Sequence, residues 1–133
     1  MPFISVTRLR LRSPRYLIPF MIYALMSSRQ ARRSRGNLGL KLLRDANRAF
    51  WTLTAWQNDE DMHLFMMAGY HRRAMPKLLD WCDEASVAHW SQETSEFPGW
   101  DQAHRRLLEQ GRSSKVRFPS NNHIARRIPE PHS

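Results

Sequence analysis

Cysteine is nearly absent from this chain. Cys82 stands alone among 133 residues, which excludes an internal disulfide and any cysteine-built metal cluster. That scarcity suits a reducing, cytoplasmic setting. Lysine is scarce as well: only Lys41, Lys77 and Lys115 accompany the arginines, yet Lys and Arg number 21 against 12 acids, a formal net charge of +9. No Asp or Glu precedes Asp45. A basic stretch of this kind permits contact with anionic partners but does not require it. Long apolar runs are also missing. The longest, Tyr16 to Met26, falls short of the roughly 20 residues a bilayer takes, and Ser27-Ser28-Arg29-Gln30 after it is not a signal-peptide ending. No membrane partner is expected. There is no Gly-rich phosphate loop, Ser-centred elbow, His-x-x-x-His pair or carboxylate dyad, and no metal site is expected.

What is there is ordinary for one globular domain: 41% hydrophobic and 25% charged residues. Ile4, Val6, Leu9 and Leu11 alternate with polar residues and predict a strand over 3–11. Ser13-Pro14 is a helix entry, and apolar residues at three- and four-residue spacing predict a helix over about 16–33, its regular part starting near Pro19. The first half of this helix is apolar nearly all round. One face is expected against its own sheet and one against a partner. Gly36-Asn37 ends it. Two strands follow, 38–44 and 49–56, joined by the Asp45-Ala46-Asn47 turn. In the second, Trp51, Leu53 and Ala55 face one way and Phe50, Thr52, Thr54 and Trp56 the other. Asn58 and the acids after it open a helix. Gly69 and Pro76 divide 59–83 into two short helices meeting near Tyr70 and His71. A last strand covers 85–90, a helix 100–110, and the rest is an extended tail.

That order is α+β, a ferredoxin-like βαββαβ domain over residues 1–91, with a C-terminal extension over 92–133. An antiparallel sheet with its helices on one face leaves the other face bare and apolar. A second subunit covers such a face most simply, so a homodimer is expected, forming a dimeric α/β barrel.

Leu53-Thr54-Ala55-Trp56, the acidic helix start and Gly69-Tyr70-His71-Arg72-Arg73-Ala74-Met75 resemble the dimeric α/β-barrel superfamily over about residues 3–90. This superfamily holds the antibiotic-biosynthesis monooxygenases, heme-degrading monooxygenases, spheroidene-monooxygenase-like proteins and uncharacterised bacterial families. The resemblance implies a monooxygenase-like protein that holds a hydrophobic or aromatic small molecule in a cavity between sheet and helices, with no cofactor or with heme. Heme-degrading members use an Asn on the first strand, a Trp ending the third and a late His on the second helix. Trp56 matches the Trp; Thr7 stands at the Asn position and Met75 at the His position, with His71 about one turn earlier.

His71 is the candidate catalytic residue, as a base or an iron ligand, because an imidazole titrates near neutral pH. Trp51, Trp56 and Phe50 are candidates for an aromatic wall. Thr7, Arg44 (with Asp45, Asn47 and Arg48 near it) and His89 complete the candidate ligand-binding set. His63, on the same helical segment as His71, is expected in solvent. Met62, Met66, Met67 and Met75 hint at irregular internal space. Two other functions stay open: a non-catalytic ligand-binding or interaction module of the same fold, and nucleic-acid binding through the arginine-rich surface. The last ranks third, because no recognition helix or aromatic RNA-binding strand motif is present.

Overall fold

In the computed structural model, which describes residues 1–94 and 96–132, the chain runs β1 (Phe3–Leu11), α1 (Leu17–Arg33), β2 (Asn37–Arg44), β3 (Ala49–Trp56), α2 (Asp59–Met66), α3 (Gly69–Trp81), β4 (Cys82–Ser91), α4 (Trp100–Gln110), β5 (Arg112–Ser113) and α5 (Asn121–Ile124). The strands make one antiparallel sheet in the order β2-β3-β1-β4-β5. The βαββαβ core is therefore a ferredoxin-like α+β fold, with a fifth strand added beside β4.

Local chemistry explains the boundaries. Ser13 caps a short 3-10 turn at Pro14–Tyr16, and Pro19 falls in the first turn of α1, where its missing N–H costs nothing. The Asn58 side chain accepts from the Asp61 amide at 2.9 Å and starts α2. The break between α2 and α3 comes slightly before Tyr70, at Met67–Ala68. Pro76 does not end α3, which runs on to Trp81. Gly36 has φ +81°, and a Cβ there would collide with the Asp61 carboxylate. Only glycine lets β2 leave α1 so close to α2.

Two faces result. On one lie α1, α2 and α3, packed in two separate apolar clusters. Trp56, Met62, Phe65 and Ala31 make one; Leu11, Phe20, Cys82, Leu9, Phe50, Leu78 and Trp81 make the other. On the opposite face Ile4, Val6, Trp51, Leu53, Ala55, Ala88 and Trp90 form a third cluster, closed by Ala103 and Leu107 of α4 and flanked by Phe97, Trp100 and Ile128.

The face expected to be bare, and assigned on that ground to a second subunit, is thus covered by the chain's own extension. The extended tail expected after the 100–110 helix is, over residues 111–132, tied to the sheet at several points. Arg112 and Ser113 pair with Val87 and Ser86. Ser114 N–H donates to Ala85 O at 2.9 Å and Ser120 N–H to Asp83 O at 3.0 Å. His104 Nε2 meets Ile128 O at 2.6 Å. Backbone groups left open along the β4 edge find partners in the segment that follows.

Candidate functional site

On the helix side the middle of the sheet is polar. Strand register aligns Thr54, Ser5 and His89 in one row across β3, β1 and β4, and Thr52, Thr7 and Val87 in the next. These rows separate the two apolar clusters, with Trp56 and Phe3 beyond one end and Phe50 and Leu9 beyond the other. In the same helix layer the small side chains Ser28 of α1 and Ala74 of α3 are buried, and Ala24 packs on the second cluster. Thr7, Thr52, Val87 and His89 keep part of their surface open. Three polar atoms at this end of the helix-side layer, Trp56 Nε1, His89 Nε2 and Asn37 Nδ2, are buried without a hydrogen-bond partner among the described residues. Orphan polar groups are costly in a packed interior and so point to something not supplied by the chain.

His71 stands in the first turn of α3, on the stripe His71, Ala74, Leu78 and Trp81 that faces inward. Its backbone N–H donates to Gln30 Oε1 at 3.1 Å, while Gln30 Nε2 donates to Ala68 O at 2.7 Å. Gly69, at φ +54°, leaves room for that amide where a Cβ would crowd it. The ring Nδ1 sits 3.3 Å from Met66 O. A carbonyl only accepts, so Nδ1 carries the proton and Nε2 holds the lone pair. The imidazole packs on Phe65 at 4.7 Å, and Phe65 stacks on the wholly buried Trp56 at 5.3 Å. Behind Phe65 a recess of about 140 Å³ opens, lined also by Gln30, Ser34, Asp61 and Ala68. Burial holds the His71 pKa below the ordinary 6.5 despite the Met66 hydrogen bond. His89, beside Phe3 at 5.6 Å, is lowered likewise, by burial first and then by the charges of Arg112 and His63. Both are neutral at physiological pH. A neutral imidazole with a free Nε2 is a base.

The other candidates divide. Thr7, Trp56 and His89 share the helix side with His71. Trp51 does not: it points to the opposite face, into the cluster beneath α4, so the aromatic wall expected of β3 is split between the two sides. Phe50 packs on Phe20 at 4.7 Å, in the second cluster. Arg44 lies exposed at the end of edge strand β2. His63 is exposed and bonds back to Asp59 O at 2.8 Å. Of the methionines, Met62 is buried and Met66 half-buried, while Met67 and Met75 are exposed. Met75, 46% exposed on the outer side of α3, cannot present an iron ligand to the interior. With Thr7 at the Asn position, these residues do not fit a heme of the degrading type. Sequence reasoning missed Ser5, Thr52 and Thr54. Their signal was present, since hydroxyl residues occupy in-phase positions in the middle of β1 and β3.

Asp45 and Asn47 line a larger recess, about 290 Å³, on the opposite side of the sheet. There Arg8 donates to Glu84 at 2.7 Å with both side chains buried, and Arg10 Nη1 meets Asp83 at 2.5 Å. Ser120 Oγ donates to Glu84 at 2.8 Å. Asp45 accepts from Trp51 Nε1 at 3.0 Å and from the His132 amide at 3.0 Å. Burial raises the Asp45 pKa, but the hydrogen bonds from Ala46, His132 and Trp51 outweigh it and hold the carboxyl below the ordinary 3.8. These charges tie the extension to the sheet.

No family model matches this sequence, and no curated protein does. Solved structures do match. A candidate antibiotic biosynthesis monooxygenase from Nitrosomonas europaea shares 14% identity with a TM-score of 0.63, over 72% of this chain and 94% of that one. Rv0793 from Mycobacterium tuberculosis shares 9% with a TM-score of 0.65, over 73% and 100%. A variant of SnoaB, a cofactor-independent oxygenase from Streptomyces nogalater, shares 10% with a TM-score of 0.59, over 70% and 94%. At such identities the likeness is one of architecture, and the chain has the ferredoxin-like fold of the antibiotic biosynthesis monooxygenases.

Proposed function

We propose that this protein is a monooxygenase-like enzyme that takes a flat hydrophobic or aromatic small molecule between the sheet and the helices, without a cofactor. The observation that carries this reading is the set of unpartnered buried atoms, Trp56 Nε1 and His89 Nε2 above all. They flank the rows of hydroxyl side chains that lie between the two apolar clusters. An aromatic ligand with phenolic or carbonyl oxygens supplies both the apolar body and the missing partners. His71 Nε2 is the base. It removes the phenolic proton. The electron-rich anion gives its electrons to dioxygen, and a ring C–H carbon bonds the resulting peroxide. Loss of water from that hydroperoxide takes the carbon's hydrogen and leaves a ring carbonyl (phenol + O2 → quinone + H2O), the protein supplying dryness and position. The SnoaB match supports a cofactor-free route as analogy of fold.

The proposed unit is the single chain. The expected homodimer would use the sheet face that α4 now occupies.

The test is titration of the purified chain with a polycyclic phenol, followed by ligand fluorescence, with oxygen uptake measured in parallel. Saturable binding weakened in Thr7→Leu supports the site. Oxygen uptake lost in His71→Gln, with binding kept, assigns the base. Binding without oxygen uptake favours the non-catalytic module, and no binding removes the site.

A further inference from the structure

The outer surface of the helix layer carries a pattern that the reading above does not use. In α1 the exposed residues are Ile18, Ile22, Leu25, Arg29, Arg32 and Arg33. All but Arg33 fall on one stripe at alternating three- and four-residue spacing, which Arg15 extends at the other end. The middle of the stripe is strongly apolar: Ile18 is 74% exposed, Ile22 56% and Leu25 57%. A soluble surface scatters such side chains singly and does not align three of them. Both ends are arginine, and none of these arginines is in an ion pair among the described residues. The neighbouring α3 continues the charge. Arg72, Arg73 and Lys77 are exposed there, with Lys77 Nζ 5.6 Å from the Tyr23 ring of α1. No acid occurs in α1, and the single acid of α3, Asp80, is held by Arg117.

We infer that this face docks on an anionic lipid surface. A row of aliphatic side chains bordered by arginines is the footprint of a helix lying in the headgroup plane. The aliphatics enter the acyl boundary while the long guanidinium arms reach lipid phosphates. The same arrangement argues against a second copy. Antiparallel pairing of two α1 stripes across Ile22 sets Arg15 against Arg29 and Arg32, like charge on like charge. Nucleic acid would meet the arginines but leave three large aliphatics against phosphate with nothing to bury. No helix among the described residues is long and apolar enough to cross a membrane, so the contact is peripheral.

The experiment is co-sedimentation of the full chain with phosphatidylcholine vesicles, alone or with a minority of phosphatidylserine, at rising salt. The expected result is binding to the anionic vesicles only, falling steeply with salt. Ile18→Ser with Ile22→Ser should weaken it about tenfold, and Arg29→Gln with Arg32→Gln by at least as much. All four side chains are in solvent, so the variants should keep the wild-type circular dichroism, and each pair reads a different half of the footprint. No binding at low salt overturns the inference, and so does undiminished binding by the isoleucine pair. Loss of a dimer mass in the isoleucine pair would instead make the stripe a self-interface. Duplex DNA bound tightly and indifferently to the isoleucines would make the surface a phosphate binder.

Discussion

The two faces of this sheet are built on opposite plans. Beneath α4, rows of Ala55, Ile4 and Trp90, then Leu53, Val6 and Ala88, make one unbroken apolar block. Only at its end does it turn ionic, with Arg8 against Glu84 and Arg10 against Asp83. Beneath α1 and α3 the order is reversed, with apolar clusters at the two ends and hydroxyls and a histidine between. Apolar burial scales with area removed from water, so the α4 face is the natural anchor of stability. The helix face places hydroxyl side chains in its middle, Ser5 and Thr54 among them buried, where the α4 face places aliphatic ones. The extension thus covers the sheet face that α1, α2 and α3 do not.

The largest expected effect comes from the ionic end of the α4 face. Glu84→Ala strands the guanidinium of Arg8, which is 5% exposed, and should cost about 3–5 kcal/mol in urea unfolding. Replacing both partners, Arg8→Met with Glu84→Leu, should recover most of that loss, since an apolar pair of similar volume is often neutral. Next is Leu107→Ala, which hollows the apolar block and should cost about 3 kcal/mol. If instead the extension is a loosely docked appendage, that loss will stay near zero. Light scattering gives the companion result. A mass near 15.8 kDa is expected of the single chain, whereas twice that value would mean that two copies meet on some other surface. Far smaller is the change from Thr52→Val in the polar row, within about 0.5 kcal/mol because the site is part-open rather than packed. A loss there as large as that at Leu107 would show the two faces to be equally filled.

The sequence was legible where one residue's neighbours in the chain decide its place. Strand alternation located β1 and β3, and Pro19, Asn58 and Gly69 placed the starts of α1, α2 and α3. It was not legible where distant segments meet. The periodicity of 100–110 shows a helix, but nothing in it says that Ala103 and Leu107 lie over Ile4 and Leu53. In the sequence the arginines of β1 belong to a basic stretch open to anionic partners. Yet Arg8 and Arg10 are in phase with Glu84 and with each other, and register alone turns that alternation into a buried ion pair. Trp51 and Trp56 suit one aromatic wall by residue type, yet five residues apart on a strand they fall on opposite faces. His71 was found for its chemistry. Its orientation came from Gln30 and Met66, of which Gln30 lies far away in the chain.

The comparison can be sharpened last by acid, because the faces hold different titrating groups. On the helix side His71 and His89 have pKa values depressed by burial. The unfolded chain therefore binds more protons than the folded one just below the ordinary 6.5, and stability rises with pH there. Full stability is present above 6.5 and is lost as pH falls from that value toward the depressed folded ones. On the α4 side Asp45 is held below 3.8. Its contribution is full above 3.8 and disappears only as pH falls through the folded value. Acidification should then loosen the molecule in two steps, helix side first and extension second. Urea midpoints across pH will show this, with the first step reduced in His71→Gln and His89→Gln and the second in Asp45→Asn. If both histidine variants keep the slope below 6.5 unchanged, the imidazoles are solvated, and the helix side has no dry site for a ligand to enter.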